Sequence, residues 1–250
     1  MVLVIGHRGA RNLWPENSLD GFVRTRDLGV DGVEFDVHLA RDGEMVVIHD
    51  PSLERTTEGA GAVADRTGRE LARTPLREGG GAGVPGLAAV LDIFAGSSIE
   101  LHIEIKTDAL GRPYEGLERR LLTLIDRLRL QERVILTSFV PEILETVRRL
   151  SPRQRVLASL DRRSAEIMGG LPAALDRFAA IGDCLVAVEK GLLMDSYALC
   201  LHRLGGVRLG AWVTNDADEI SIWLARPIRQ ITTDRPDIAL AQRKEAHPAA

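Results

Sequence analysis

Seven side chains in the first half of the chain have the types and spacing to act together on one small anion. His7 and Arg8 close an apolar run, and Glu34 and Asp36 alternate with Val33, Phe35 and Val37. His49 ends a β-branched run, and Glu104 and Lys106 alternate with Ile103 and Ile105. Imidazoles titrate near neutral pH, so His7 and His49 can divide the taking and giving of a proton. Three carboxylates in one dry pocket would repel one another and drive their pKa values up, and a hard divalent cation relieves that. The all-oxygen set Glu34, Asp36 and Glu104 suits one Mg2+ or Ca2+ better than zinc, and leaves positions for water and a substrate oxygen. Arg8 and Lys106 add positive charge for an oxyanion. A cation, an Arg and a Lys around a histidine pair describe phosphoryl chemistry. The blander alternative is an ion pair between Glu104 and Lys106, with Glu34 and Asp36 partly exposed.

These residues must be carried to one place. Strand side chains alternate between faces, so Glu34, Asp36 and His38 share one face of a strand starting at Gly32. Glu100, His102, Glu104 and Lys106 share one face of a strand over 99–106, with Ile99, Leu101, Ile103 and Ile105 on the other. Asp42-Gly43 supplies a tight turn into a return arm over 45–50, and a turn centred there sets Asp36 opposite His49. Further strands are expected over 2–5, 134–138, 155–160, 184–188, 207–213 and 228–232. They alternate with helices over 19–28, 87–94, 114–128, 141–150, 164–180, 196–204, 217–224 and 236–243, the first capped by Ser18. Such alternation implies a parallel sheet. Setting aside the antiparallel arm leaves eight strands, the number a (β/α)8 TIM barrel needs. The expected fold is therefore α/β: one barrel domain over 1–250, with an extra hairpin arm after the second strand. A barrel gathers its chemistry at the carboxyl ends of its strands. The competing doubly wound sheet lacks a G-x-G-x-x-G after an early strand. Residues 51–85 are turn-rich, with a short helix over 68–73. They read as a short irregular rim insertion, either a lid or a surface loop. The last four residues, 247–250, are expected to fray.

Composition narrows the rest. The chain has 250 residues, 45% of them apolar, enough for one large core. A formal net charge of −4 and a pI near 5.9 give no reason to expect nucleic acid. Cys184 and Cys200 make neither a disulfide framework nor a metal spacing, so both are expected as free thiols. The apolar run over 2–5 is too short for a signal peptide, and no stretch reaches the ~18 residues of a membrane span. A soluble cytoplasmic protein without stable membrane insertion is expected; no feature fixes an oligomeric state.

Several short motifs occur in order: His7-Arg8-Gly9, Pro15-Glu16-Asn17-Ser18, Glu34-Phe35-Asp36, Ile48-His49-Asp50, Arg55-Thr56-Thr57 with Gly59 and Gly61, and Ile103-Glu104-Ile105-Lys106. Ser138-Phe139, Trp212 with Thr214-Asn215, and Thr233-Asp234-Arg235-Pro236 follow. Together they resemble the glycerophosphodiester phosphodiesterase family. The resemblance implies a (β/α)8 barrel that hydrolyses a small-molecule glycerophosphodiester to glycerol 3-phosphate and an alcohol. Carried over by position, it implies His7 and His49 as the catalytic pair and Glu34, Asp36 and Glu104 as metal ligands. It also implies Arg8 and Lys106 as phosphate contacts, and Asn17, Phe139 and Trp212 as residues lining the substrate pocket. The sequence departs from the family where Gly86, Ala88 and Ala89 replace its usual threonine and acidic residue.

Other readings have their own signatures. A lysophospholipase D-type enzyme would present the same phosphate chemistry with a lipid alcohol. A barrel glycosidase needs carboxylates opposed across a sugar, and Glu34 and Asp36 share one strand face. A non-catalytic phosphate-binding barrel would be a degenerate one, and intact candidates at every expected position argue against it.

Overall fold

The computed structural model describes residues 1–246; the expected fraying at 247–250 lies outside the described residues. Strand β1 (Leu3–His7) leads through a loop into helix α1 (Leu19–Asp27), which Ser18 caps by accepting the Gly21 amide. Strand β2 (Gly32–Leu39) turns back into β3 (Met45–Val47), and the rim insertion carries the short helix α2 (Gly68–Leu71). Next come α3 (Leu87–Ile93), β4 (Glu100–Ile105), α4 (Leu117–Arg127), β5 (Val134–Ser138), α5 (Pro141–Leu150) and β6 (Arg155–Leu160). The chain continues through α6 (Arg162–Ile167), α7 (Leu171–Ala179), β7 (Leu185–Glu189), α8 (Lys190–Leu204), β8 (Leu209–Trp212), α9 (Ala217–Leu224), β9 (Gln230–Thr233) and α10 (Pro236–Ala246).

The sheet closes. Strand order runs β1-β9-β8-β7-β6-β5-β4-β2, β1 pairs with β2 as well, and every pair in that ring is parallel. β3 alone is antiparallel, and it pairs with the carboxyl end of β2, beyond the residues that pair with β1. This is the eight-stranded (β/α)8 barrel expected, with its hairpin arm.

Alternation along each strand then sorts the chain into two regions. Val33, Phe35, Leu101, Ile103, Val134 and Leu136 point outward into the main core under the helices, together with Phe22, Phe94 and Trp223. The opposite faces point into the barrel, where Ile135, Leu157 and Ala187 form a small apolar cluster with Leu185 and Trp212. The charged residues of β2 and β4 stand on the same inner faces. No helix among the described residues is long and apolar enough to cross a membrane.

Three local expectations need correcting. The hairpin pairs Val37 with Val47, His38 with Val46 and Leu39 with Met45. Its register is one residue off the expected one, because the loop holds three residues: Ala40 pairs with Glu44 and Gly43 takes φ +84°. Asp36 thus faces Ile48, whose amide donates to the Asp36 carbonyl, and His49 emerges from the bend after β3. The helix expected over 164–180 is two helices, since Gly169 and Gly170 both adopt positive φ and end the first. Finally, the 51–85 insertion is more than a surface loop. Leu53, Val63, Leu71, Leu76 and Val84 pack on Ala40, Val46 and Ile48 of the hairpin as a second small core.

Candidate active site

The acidic cluster follows from strand register. Asp36 on β2 lies beside Glu104 on β4, two residues past Glu34 beside His102. One carboxylate oxygen from each of Glu34, Asp36 and Glu104 lies within 4.8 Å of the others. All three residues are buried, Asp36 completely, so the partly exposed alternative does not hold. Glu104 does pair with Lys106, whose Nζ donates to it at 2.8 Å. Arg8 Nε lies 3.4 Å from Asp36, and Asn17 Nδ2 donates to Asp36 at 2.9 Å. Two cations thus face three carboxylates. Burial, reinforced by Asp36 and Glu104, pushes Glu34 well above the usual carboxylate range, and burial also raises Glu104. Burial would raise Asp36 too, but Lys106 and Arg8 outweigh it and hold Asp36 far below its ordinary value. The buried Asp36 Oδ1 has no hydrogen-bond partner, with Lys106 Nζ 3.4 Å away but misdirected. An orphaned oxygen among three converging carboxylates suits a hard divalent cation.

Each histidine is backed by a carboxylate. His7 Nδ1 lies 2.5 Å from Asp234 Oδ1, and His49 Nδ1 lies 2.5 Å from Asp50 Oδ1. Both acids are held near 2: burial pushes them up, but the histidine bonds and the nearby Arg11 or Arg55 outweigh it. Ionised carboxylates only accept, so each imidazole carries its hydrogen on Nδ1 and keeps Nε2 as an acceptor. Burial lowers His7, and lowers His49 to about 4. His7 Nε2 lies 3.8 Å from Glu34.

Backbone conformation sets the His7 end. Arg8, Gly9 and Ala10 all take positive φ, and so does Asn17. The turn is closed by Ala10 N to His7 O at 2.9 Å and Asn17 N to Arg8 O at 2.9 Å. A side chain on Gly9 would press on the Phe22 ring at 3.1 Å. Left-handed non-glycine residues cost on the order of 1 kcal/mol each and gather where a site dictates the backbone.

A cavity of about 180 Å³ opens between the histidines and runs into the barrel. His7, Arg8, Glu34, His49 and Glu104 form its polar wall, and Phe139, Leu157 and Trp212 its apolar one. Phe139 and Trp212 meet edge to face, centroids 5.4 Å apart, and Trp212 Nε1 donates to the Ala187 carbonyl. Asn17, Asp36 and Lys106 do not line this cavity. They stand directly behind its carboxylates, and Asn17 orients Asp36 while Ser18 caps the helix.

Sequence reasoning overlooked the residues behind the histidines. Asp50 and Asp234 stood in the quoted motifs, but their role needs three-dimensional contacts. Asp234 also accepts from Arg11 Nε at 2.9 Å and Asn215 Nδ2 at 2.7 Å. Asp50 was the easier to find, since it adjoins His49.

The fold and this site define a class: a (β/α)8 barrel whose strand ends hold a cluster of acids beside two carboxylate-backed histidines, at the face where such barrels act. The chain belongs to the glycerophosphoryl diester phosphodiesterase family, whose model matches residues 7–238. It is 36% identical over 159 residues to a glycerophosphodiester phosphodiesterase of Caldanaerobacter subterraneus, a match covering 62% of this chain and 65% of that protein. It spans the whole length of an Agrobacterium tumefaciens protein assigned as a glycerophosphoryl diester phosphodiesterase, all of both chains being covered at 26% identity with a TM-score of 0.87. A phosphodiesterase of Oleispira antarctica, solved with its product sn-glycerol-3-phosphate, shares the fold at 22% identity and a TM-score of 0.76, with 96% of each chain covered.

Proposed function

We propose that this single barrel domain is a metal-dependent hydrolase of glycerophosphodiesters, releasing glycerol 3-phosphate and an alcohol by acid/base catalysis at His7 and His49. The carrying observation is the juxtaposition of two Nδ1-anchored imidazoles with three buried carboxylates on one cavity wall. Glu34, Asp36 and Glu104 would hold one Mg2+ or Ca2+. A cation bound there supplies a Lewis acid for a non-bridging phosphate oxygen. Arg8, lining the cavity, contacts the phosphate directly. Lys106 balances Glu104 and Asp36 and lends positive charge to the same region.

The two imidazoles are both neutral in the resting protein, with Nε2 free. One ring accepts at Nε2 the proton of the attacking hydroxyl; the other takes up a proton from solvent at Nε2 and gives it to the leaving alcohol, and loss of the first ring's proton to solvent restores the pair. Phe139 and Trp212, on the cavity's apolar wall, cover the substrate's carbon skeleton. The glycosidase alternative loses ground because the three carboxylates crowd together on adjacent strands instead of facing each other. Two buried free cysteines fit the reducing cytoplasm.

The test is glycerol 3-phosphate release from glycerophosphocholine, glycerophosphoethanolamine and glycerophosphoinositol by the wild type, His7→Ala and His49→Ala. Each variant should lose at least about 10²-fold in kcat while keeping its circular dichroism. Turnover by both variants at the wild-type rate would defeat the proposal.

A further inference from the structure

One charge network joins the carboxylates behind both imidazoles to each other and to Arg8. Resting on the reading of His7 and His49 as the acid/base pair, we propose that Arg55 and Glu16 are positioning residues. They form a bridge that fixes the His49–Asp50 pair and ties it to Arg8.

The Arg55 guanidinium is shared between two acids. Nε and Nη2 donate to Asp50 at 2.5 and 3.0 Å, and Nη1 and Nη2 donate to Glu16 at 2.9 and 2.8 Å. The Asp50 oxygen that takes Nη2 is the one that holds His49 Nδ1. The Glu16 oxygen that takes Nη2 also takes Arg8 Nη1 at 3.4 Å. On the far side Arg11 lies 4.0 Å from Glu16 and donates to Asp234, which holds His7. The chain of contacts therefore runs His49–Asp50–Arg55–Glu16, then branches to Arg8 and through Arg11 to Asp234 and His7.

An exposed ion pair contributes little, and the Arg55 side chain is 46% exposed. What it joins is not exposed: the Glu16 side chain is 12% accessible and that of Asp50 23%. Asp50 sits at a bend outside the sheet, so no ladder holds its backbone. Without Arg55, its carboxylate is free to turn away from His49 Nδ1, and the imidazole loses its fixed tautomer. Lysine cannot substitute, because a point charge cannot engage two carboxylates through a planar fork. Glu16 comes from Pro15-Glu16-Asn17, the motif whose Asn17 orients Asp36, and Arg55 from Arg55-Thr56-Thr57.

The test compares Arg55→Ala and Arg55→Lys with wild type, reading kcat and KM on glycerophosphocholine and the imidazole nitrogens by long-range proton–nitrogen NMR. The expected result is a kcat loss of about 10- to 100-fold in both, the range seen when an outer partner of a site ligand is removed. KM should stay within about twofold. The His49 signals should pass from the Nδ1–H tautomer to a mixture, and guanidinium chloride below denaturing concentration should partly restore Arg55→Ala. Wild-type kcat and an unchanged tautomer in Arg55→Ala would overturn the proposal, as would a kcat loss that only follows the folded fraction. Should Arg55→Ala not fold, Glu16→Gln decides by the same readouts. If the wild type releases no glycerol 3-phosphate, the hydrolase reading falls alone, because the tautomer measurement still decides the bridge.

Discussion

Burial, more than any partner, sets the working form of the two imidazoles. Desolvation holds His49 at about 4 and His7 below its ordinary value, so at neutral pH both rings are uncharged bases. An ionised acid behind each ring fixes which nitrogen carries the hydrogen. Asp234→Asn changes that choice without changing shape, because an amide can donate to Nδ1 and leave the hydrogen on Nε2. We expect kcat to fall by about 10²- to 10⁴-fold, with circular dichroism unchanged. Steady-state kinetics showing wild-type turnover would exclude a tautomer-setting role for Asp234.

At the scale of elements, periodicity carried most of the fold. β5, α5, β6 and α9 have the predicted bounds, because each has an unbroken apolar period and a clear stop. The polar inner faces of β2 and β4 were legible for the same reason: period-two alternation states which residues share a face. The hairpin register was not, since Arg41-Asp42-Gly43 serves a two- or a three-residue loop equally well, and one residue reverses every pairing. Nor was the small core of the insertion, whose apolar residues follow no period and are gathered by turns. Asp234 was invisible in another way: its contacts to His7 span 227 positions. The family departure at Gly86 has a local consequence. Gly86 is the N-cap of α3 with no side-chain bond, its φ of −72° suits any residue, and a Cβ there meets Glu44 only at 3.5 Å. Gly86→Ser should therefore stabilise the protein by about 0.5–1 kcal/mol in urea unfolding. An unchanged or lowered midpoint would show that the position is not limited by its cap.

For the whole molecule, the barrel has a charged floor as well as a reactive rim. Glu100 on β4 accepts from Arg229 at 2.7 Å, Arg155 at 2.9 Å and His102 at 3.2 Å, joining the entrances of three strands. Burial would raise Glu100, but the bonds from His102 and Arg229 outweigh it and hold it well below the carboxylate range. Its stabilisation is therefore complete above the ordinary value of 4.5 and is lost as pH falls below it. His102 is lowered by burial, so its protonation in the unfolded chain adds to the loss in acid. Glu100→Gln should cost about 2 kcal/mol at pH 7, and the gap to wild type should narrow below about pH 4. Thermal unfolding across pH measures both, and a gap that does not change with pH would contradict the linkage.

The central claim is that three inward acids from adjacent strands hold a cation on which phosphodiester cleavage depends. The most direct measurement is glycerol 3-phosphate release from glycerophosphocholine by protein stripped with chelator, before and after Mg2+ or Ca2+ is returned, with Glu34→Gln alongside. Activity should vanish on stripping, return with one of the ions in the wild type, and return only weakly in the variant. Undiminished release by the stripped protein would contradict it.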